Sequence, residues 1–561
     1  MKQKRTMLRC VAAGALLALA MTTPGCAEDE ASGASAWDAS GWSSPNQPDN
    51  GSGPTADAGS PGGFDAGPGG SDVAIPPADA GPPPPPPPPP PQNEQDFDLR
   101  APEAGLTRLF IPSAGLDAVV VVDAASGLDV SLVDAGSRPT LLKALPDDQG
   151  AVVLNQDSAD VSIIRPAQAG GYTVENLDVA PNHNRIELSP NADWAFAWYD
   201  ERLGGVPGSL NDVSAIRLRA GEPAVVFNLA VGMRPTDLFF ADNGRLAIFE
   251  AENGLSGVDL EVLAQDSFLP PVPVHDDPFI EPSDREVVVS PDGQWAVVRE
   301  LNRQELTLVN LAANTRAVIA LPDYPSDLDI TADGQRVVVP FVNSQQVAVV
   351  QVPQAWEQDP TLGLEENPAA TVSFTGHPFG SVLLSGDGAR GLLYTTDNGV
   401  LSVGLLEVAT GQVLVRPVAK AIKKATVDAD GSRAVLINHR NSGTKAPESS
   451  SAAYTIIDLD EGFEYLELTP AEPTDIVFTG DGDIYALIPD FGTFQHQVHR
   501  VRSFAVTVYP VPQAPVYVGL LEGVDQAAVM LDDPTGWLTF IDLVDGGIDQ
   551  VNSFELNSFI E

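Results

Sequence analysis

Pro325-Ser-Asp-Leu-Asp-Ile-Thr-Ala-Asp-Gly-Gln-Arg-Val-Val-Val339 is one copy of a phrase that recurs along this 561-residue chain. Pro235-Thr-Asp-Leu-Phe-Phe-Ala-Asp-Asn-Gly-Arg-Leu-Ala-Ile-Phe249 is a second, and Pro473-Thr-Asp-Ile-Val-Phe-Thr-Gly-Asp-Gly-Asp-Ile-Tyr-Ala-Leu487 a third. Looser copies start near Pro139, Arg185, Asp284, Pro378, Lys424 and Pro515. Their spacing of about 41–53 residues is that of propeller blades. In the copy at Pro325, Leu328 and Ile330 alternate with polar residues, the period of a half-buried strand. Asp333-Gly334 tolerates the positive φ of a hairpin turn. Val337-Val338-Val339 reads as a second, more buried strand, Val347 to Val352 as a third and Thr371 to Phe374 as a fourth. Proline at the phrase start suits the first residue of a strand. A small antiparallel sheet cannot bury both faces alone, and radial stacking lets each sheet cover its neighbour. Unrelated β-sandwiches share the short strands but do not repeat one phrase nine times. The expected fold is an all-β propeller of four-stranded blades.

Val119-Val-Val-Val-Asp-Ala-Ala-Ser-Gly127, followed by Gly136 and Pro139, resembles the YVTN-type bacterial propeller repeat. Ser290-Pro291-Asp292-Gly293 matches the last element of that repeat. Leu308-Val309-Asn310-Leu311 and Ile456-Ile457-Asp458-Leu459 match its third-strand element. The resemblance spans about residues 105–555 and lacks the Tyr-Val-Thr-Asn tetrad itself. It implies architecture and not activity, because such rings serve enzymes, redox proteins and binders alike.

Nine phrases and an amino-terminal fragment, Leu106 to Val133, give nominally ten units, with seven to ten blades open. The fragment shows three strands and no clear first one. The expectation is that Val551 to Ile560 supplies it and closes the ring.

Lys2, Lys4, Arg5 and Arg9 precede the apolar stretch Val11 to Met21, the pattern of a signal peptide over residues 1–25. Thr23-Pro24-Gly25-Cys26 resembles a bacterial lipobox, with Thr23 where leucine is usual. The resemblance implies that Cys26 is acylated and becomes the first mature residue. Cys10 lies in the removed segment, so no disulfide is expected. Residues 26–100 read as a disordered acidic tether rich in Gly, Ser and Pro, with a polyproline rod at 82–91. Trp37 and Trp42 stand out there as residues that suit a membrane interface. Residues 101–561 are assigned to the propeller. The net charge is −47, and loss of four basic signal residues takes it to −51. Such a chain repels nucleic acid.

Strand order sorts the loops by face. Turns from first to second strands carry Asp147, Asp148, Asp193, Asp242, Asp292, Asp333, Asp387, Asp428, Asp430, Asp481 and Asp483. Asp-Gly turn chemistry accounts for most of them, and none extends to a full calcium loop. The opposite face carries Arg138, His183, Arg185, Arg234, Arg285, His377, Lys423 and Lys424 at the entrances to first strands. It also carries three long links, Tyr199 to Asp212, Asn438 to Glu448 onward, and Pro489 to His499. Elaborated loops on one rim usually carry recognition. The candidate ligand-binding residues are Arg138, His183, Arg234, His377, Lys424, His439 and Arg440. The alternative for these cations is local pairing with nearby acids. His496 and His499 lack a third metal ligand, so no metal site is assigned.

No haem-attachment, Gly-x-Ser-x-Gly, His-Glu-x-x-His or phosphate-loop motif occurs. No catalytic residue or cofactor is assigned. The favoured expectation is a non-enzymatic outer-membrane lipoprotein whose ring binds an envelope protein or polymer through its loop-rich face. The alternative is a lactonase- or lyase-like enzyme acting on an anionic small molecule at the channel mouth.

Overall fold

A computed structural model describes residues 97–554, apart from 220, 264–266, 278–281, 283, 353–369, 374–376 and 429. The signal peptide, Cys26, Trp37, Trp42 and the polyproline run lie outside the described residues. Ten antiparallel sheets follow one another along the chain, and they are the ten blades of a propeller. Blades 1 to 10 span 103–134, 139–178, 185–230, 235–259, 285–320, 329–373, 381–417, 422–469, 475–510 and 515–552. Blade 6 shows the plan, with strands Asp329–Ile330, Arg336–Phe341, Gln346–Gln351 and Ala370–Ser373 paired in sequence order. All four fall where the phrase at Pro325 places them.

First strands of successive blades approach one another, so they form the hub. Their inner edges have unpaired backbone groups. Carboxylates from the preceding blade meet some of these. The Glu286 carboxylate accepts the Leu328 N–H at 3.2 Å, Asp327 accepts Val382 N–H at 2.8 Å, and Asp329 accepts Leu384 N–H at 2.9 Å. Lys143 of blade 2 bridges Glu103 of blade 1 and Glu187 of blade 3, at 3.8 and 3.2 Å.

Ten apolar clusters fill the ten gaps between neighbouring blades. The cluster between blades 10 and 1 closes the ring. It includes Leu109, Ile111, Val120, Met530 and Phe540, with Phe97 and Phe554 edge-to-face at 5.9 Å. The expected strand exchange does not occur. Glu103–Ala104 is the first strand of blade 1, and Ile548–Asn552 is the fourth strand of blade 10. The two-residue strand is too short to leave a periodic signal, which is why it was missed. Residues 555–560 of the expected closing segment lie outside the described residues.

Among the described residues, blade 4 departs from the four-stranded plan and has three strands. Pro270, Pro271 and Pro273 lack the N–H groups that a fourth strand needs. Val272, between two prolines, exchanges both backbone bonds with Leu255, at 2.8 and 3.0 Å. Just before it, Ser267–Phe268 adds to blade 3 as a parallel fifth strand.

Candidate functional site

The two faces of the ring use their charged residues differently. On the first-to-second turn face, several acids serve their own turns, whereas Asp148 accepts the Thr107 N–H of blade 1 at 3.0 Å and its hydroxyl at 2.6 Å. Ser290 Oγ donates to Asp292 at 2.6 Å, and the same carboxylate oxygen accepts the Gln294 N–H at 3.1 Å. Thr331 with Asp333 and Ser385 with Asp387 repeat the arrangement. These hydroxyl bonds hold the Asp333 and Asp387 carboxyls below the usual range. Asp483 is held by Arg500 and Arg502, each at 2.9 Å. Among the described residues, no three His, Cys, Asp or Glu side chains are grouped to hold a metal ion.

The opposite face carries the three long loops. Each is pinned from within by buried polar side chains. In the 199–212 loop Asp200 is fully buried and accepts from the Arg202 backbone N–H at 3.0 Å. It also takes the guanidinium groups of Arg202 and Arg185, at 2.9 and 3.1 Å. In the blade 8 loop Lys420 is fully buried and its ammonium donates to three carbonyls. They belong to Arg440 and Ser442, both at 2.9 Å, and Glu448. In the 489–499 loop the Asp490 carboxylate accepts Gly492 and Thr493 N–H at 2.9 and 3.1 Å. His496 Nδ1 accepts the Asp490 N–H at 3.0 Å. That bond sets the Nε2–H tautomer of His496.

The loop tips differ in what they display. Val206 is 69% exposed, Phe491 66% and Phe494 76%. Phe491 and Phe494 stand edge-on to His496, at 5.8 and 6.3 Å. Sequence reading named the loops but not these apolar tips, because an exposed Phe cannot be told from a core Phe by pattern alone.

The candidate ligand residues do not form one cluster. Arg138 faces Asp157 at 3.5 Å, and Arg234 holds Glu201 at 2.8 Å and Glu252 at 3.1 Å. His439 Nε2 lies 2.9 Å from the Thr396 carbonyl. Lys424 and Arg440 are exposed, with no side-chain partner among the described residues. His183 is buried, with Nε2 3.0 Å from Ser214 Oγ. Burial lowers its pKa to about 4, so it stays neutral.

Ser214 occupies a repeated position, the third residue of a third strand. Its hydroxyl accepts the Ala180 N–H at 3.1 Å. Ser162 and Ser256 do the same for Gly136 and Gly232, at 3.0 and 3.1 Å. These serines staple the incoming chain and are structural. His377 is placed differently. Its ring stacks on Phe379 and its Nδ1 lies 2.9 Å from Ser402 Oγ, and His377 and Ser402 line a cleft of about 390 Å³ with Val400, Leu401, Val415 and Pro417. Ser402 opens its strand and so stands outside the stapling series.

A charged network across blades 3 to 5 escaped sequence reading. Arg202 reaches Asp237 at 2.9 Å. Glu250 on the neighbouring strand is buried, and desolvation, aided by the Asp237 charge, pushes its pKa to about 8. The Arg285 side chain is also buried and meets Glu300 at 2.9 Å, and His275 meets the same carboxylate at 2.7 Å. The available signal was a lone acid ending an apolar strand, as in Leu246 to Ala251 and Trp295 to Glu300.

No family model matches the chain, and no curated protein matches it. Solved structures do match. Hydrazine synthase from Kuenenia stuttgartiensis is 17% identical over 58% of this chain and 96% of its own, with a TM-score of 0.28. The dihydro-heme d1 dehydrogenase NirN in complex with DHE is 13% identical over 67% and 78%, with a TM-score of 0.40. A eukaryotic initiation factor is 12% identical over 77% and 93%, with a TM-score of 0.46. Enzymes and non-enzymes stand side by side among them, and at these scores none argues for an activity.

Proposed function

We propose that the protein is an envelope lipoprotein whose propeller binds another envelope protein or polymer through its loop-rich face. One observation carries the reading. All three long loops of that face are ordered by their own buried polar pins while their tips remain exposed. Preorganised loops lose little conformational entropy on binding, which is the property a recognition surface needs. The lipobox-like Cys26 and the acidic, Pro-rich stretch after it supply the anchor and tether in this reading. Among the described residues, no helix is long and apolar enough to cross a membrane. Crosslinking in membranes should recover a specific partner that is lost when residues 438–450 are shortened. Recovery unaffected by trimming any of the three loops would move the binding site off this face. Cys26→Ser should abolish lipid labelling and release a folded ring from the outer-membrane fraction.

A second reading rests on Glu250, whose buried carboxyl keeps its proton near neutral pH and could act as a general acid. The substrate in this reading is an anionic small molecule such as a lactone acid or a uronate. A screen of such compounds should then show turnover that Glu250→Gln abolishes without loss of fold. Absence of turnover across the screen would leave the binding reading alone.

A further inference from the structure

Cations on the loop-rich face are nearly all consumed. Arg138 faces Asp157, Arg185 and Arg202 share Asp200, and Arg234 holds Glu201 and Glu252. Arg285 and Arg303 meet Glu300, Arg299 meets Glu286, and Lys423 meets Glu472. Lys424, Arg440 and Lys445 are different. All three are exposed, and none has a side-chain partner among the described residues. All three belong to blade 8.

Local structure explains how they are displayed. Lys424 lies opposite Ile437, after a register shift that follows Ile422, and both Lys423 and Lys424 are exposed. Arg440 stands three residues beyond Ile437, where the second strand has ended. Lys445 sits in the loop that Lys420 pins through the Arg440, Ser442 and Glu448 carbonyls. The long charged side chains therefore project from an ordered backbone.

The surroundings narrow the partner. Between Asn438 and Ala452 the exposed residues include Asn441, Thr444 and Ser450, and no large hydrophobic side chain is exposed. That separates this loop from the apolar tips of blades 3 and 9. The whole chain carries −47, so a densely charged polymer is repelled as it approaches. Duplex nucleic acid, with a charge about every 1.7 Å, is the extreme case. A chain whose anionic groups are spaced by neutral, hydroxyl-rich units meets less of that field. The local cations act over roughly one Debye length, about 10 Å at 0.1 M salt.

Resting on the scaffold reading, we propose that this sector of blade 8 binds an anionic glycan through its carboxylate or phosphate substituents. Full-length protein would be titrated calorimetrically with a partly methyl-esterified polygalacturonate, a phosphomannan, neutral dextran, polyglutamate and duplex DNA. One of the two charged glycans should bind, and which one identifies the substituent. Dextran, polyglutamate and DNA should not. The triple variant Lys424→Gln, Arg440→Gln, Lys445→Gln should lose about tenfold or more in affinity, and less at high salt. A control triple on the opposite face, Arg245→Gln, Arg336→Gln, Arg390→Gln, makes the same change in net charge and should keep affinity within about twofold. Equal losses in the two triples, or tighter binding of DNA or polyglutamate, would overturn the proposal. Absence of glycan binding alongside a crosslinked partner that survives the blade 8 triple sinks the glycan and leaves the scaffold standing. Absence of both sinks both.

Discussion

The Asp327 carboxylate, two residues ahead of the first strand of blade 6, accepts the backbone N–H of Val382 in blade 7 at 2.8 Å. One side chain thereby satisfies a backbone N–H on a hub strand of the next blade. Burial and the adjacent Glu286 carboxylate raise the Asp327 pKa well above the usual range. Asp327→Asn keeps an acceptor and removes the like-charge contact, so it should match or exceed wild-type stability at pH 8. Asp327→Ala orphans the Val382 N–H and should cost about 1–3 kcal/mol. Chemical denaturation of both variants checks the ordering.

Gly431 presses against Ser385 of the preceding blade. Its φ is +73°, and a Cβ there would lie 2.0 Å from the Ser385 Cβ. Gly127 has a similar φ of +82° with nothing within 4 Å. Gly127→Ala should therefore cost only the left-handed strain, about 1 kcal/mol. Gly431→Ala adds a backbone displacement and should cost about 2–4 kcal/mol in the same assay.

Lys420 supplies all three of its N–H groups to loop carbonyls. Lys420→Met preserves bulk and removes the donors, leaving three acceptors without partners at about 2–4 kcal/mol of local stability. Amide hydrogen exchange should accelerate between Ser442 and Ser451 and stay unchanged in blades 1 to 6. Uniform acceleration around the ring would mean that the lysine supports the whole fold and not the loop.

Glu250 makes stability depend on pH. Its carboxyl ionises near 4.5 in the unfolded chain and near 8 when buried. Between those values the native state keeps a proton that the unfolded chain has released, so stability falls as pH rises, by about 1.4 kcal/mol per pH unit at most. Glu250→Gln should have little effect on the thermal midpoint at pH 5 and raise it progressively towards pH 8. His183 and His499 act in the opposite sense. Burial lowers both from 6.5 to about 4, so the unfolded chain takes up protons first and stability is lost as pH falls through that window. His499→Gln should move the acid-unfolding midpoint to lower pH, followed by tryptophan fluorescence.

The repeated phrase carried nearly all of the fold. The strand alternation around Leu328 and the Asp333-Gly334 turn are local, so a propeller of four-stranded blades and the sorting of loops by face were legible without coordinates, while the count of ten, left open between seven and ten, came from the ring itself. The acidic turns were legible for the same reason, since Asp292, Asp333 and Asp387 bond within their own five residues. Pairings between blades were not. The Asp327 bond to Val382 joins residues 55 apart, and the Arg202 bond to Asp237 joins residues 35 apart. Nothing in either segment names its partner. The cationic rim shows the division most plainly. Sequence put Arg138, Arg234, Lys424 and Arg440 on one face, and only tertiary packing decided which found an acid. Arg234 meets Glu201 because the 199–212 loop folds over blade 4, whereas among the described residues no carboxylate pairs with Lys424 or Arg440. Charge type is a property of a residue, but charge available to a ligand is what remains after its neighbours have been satisfied.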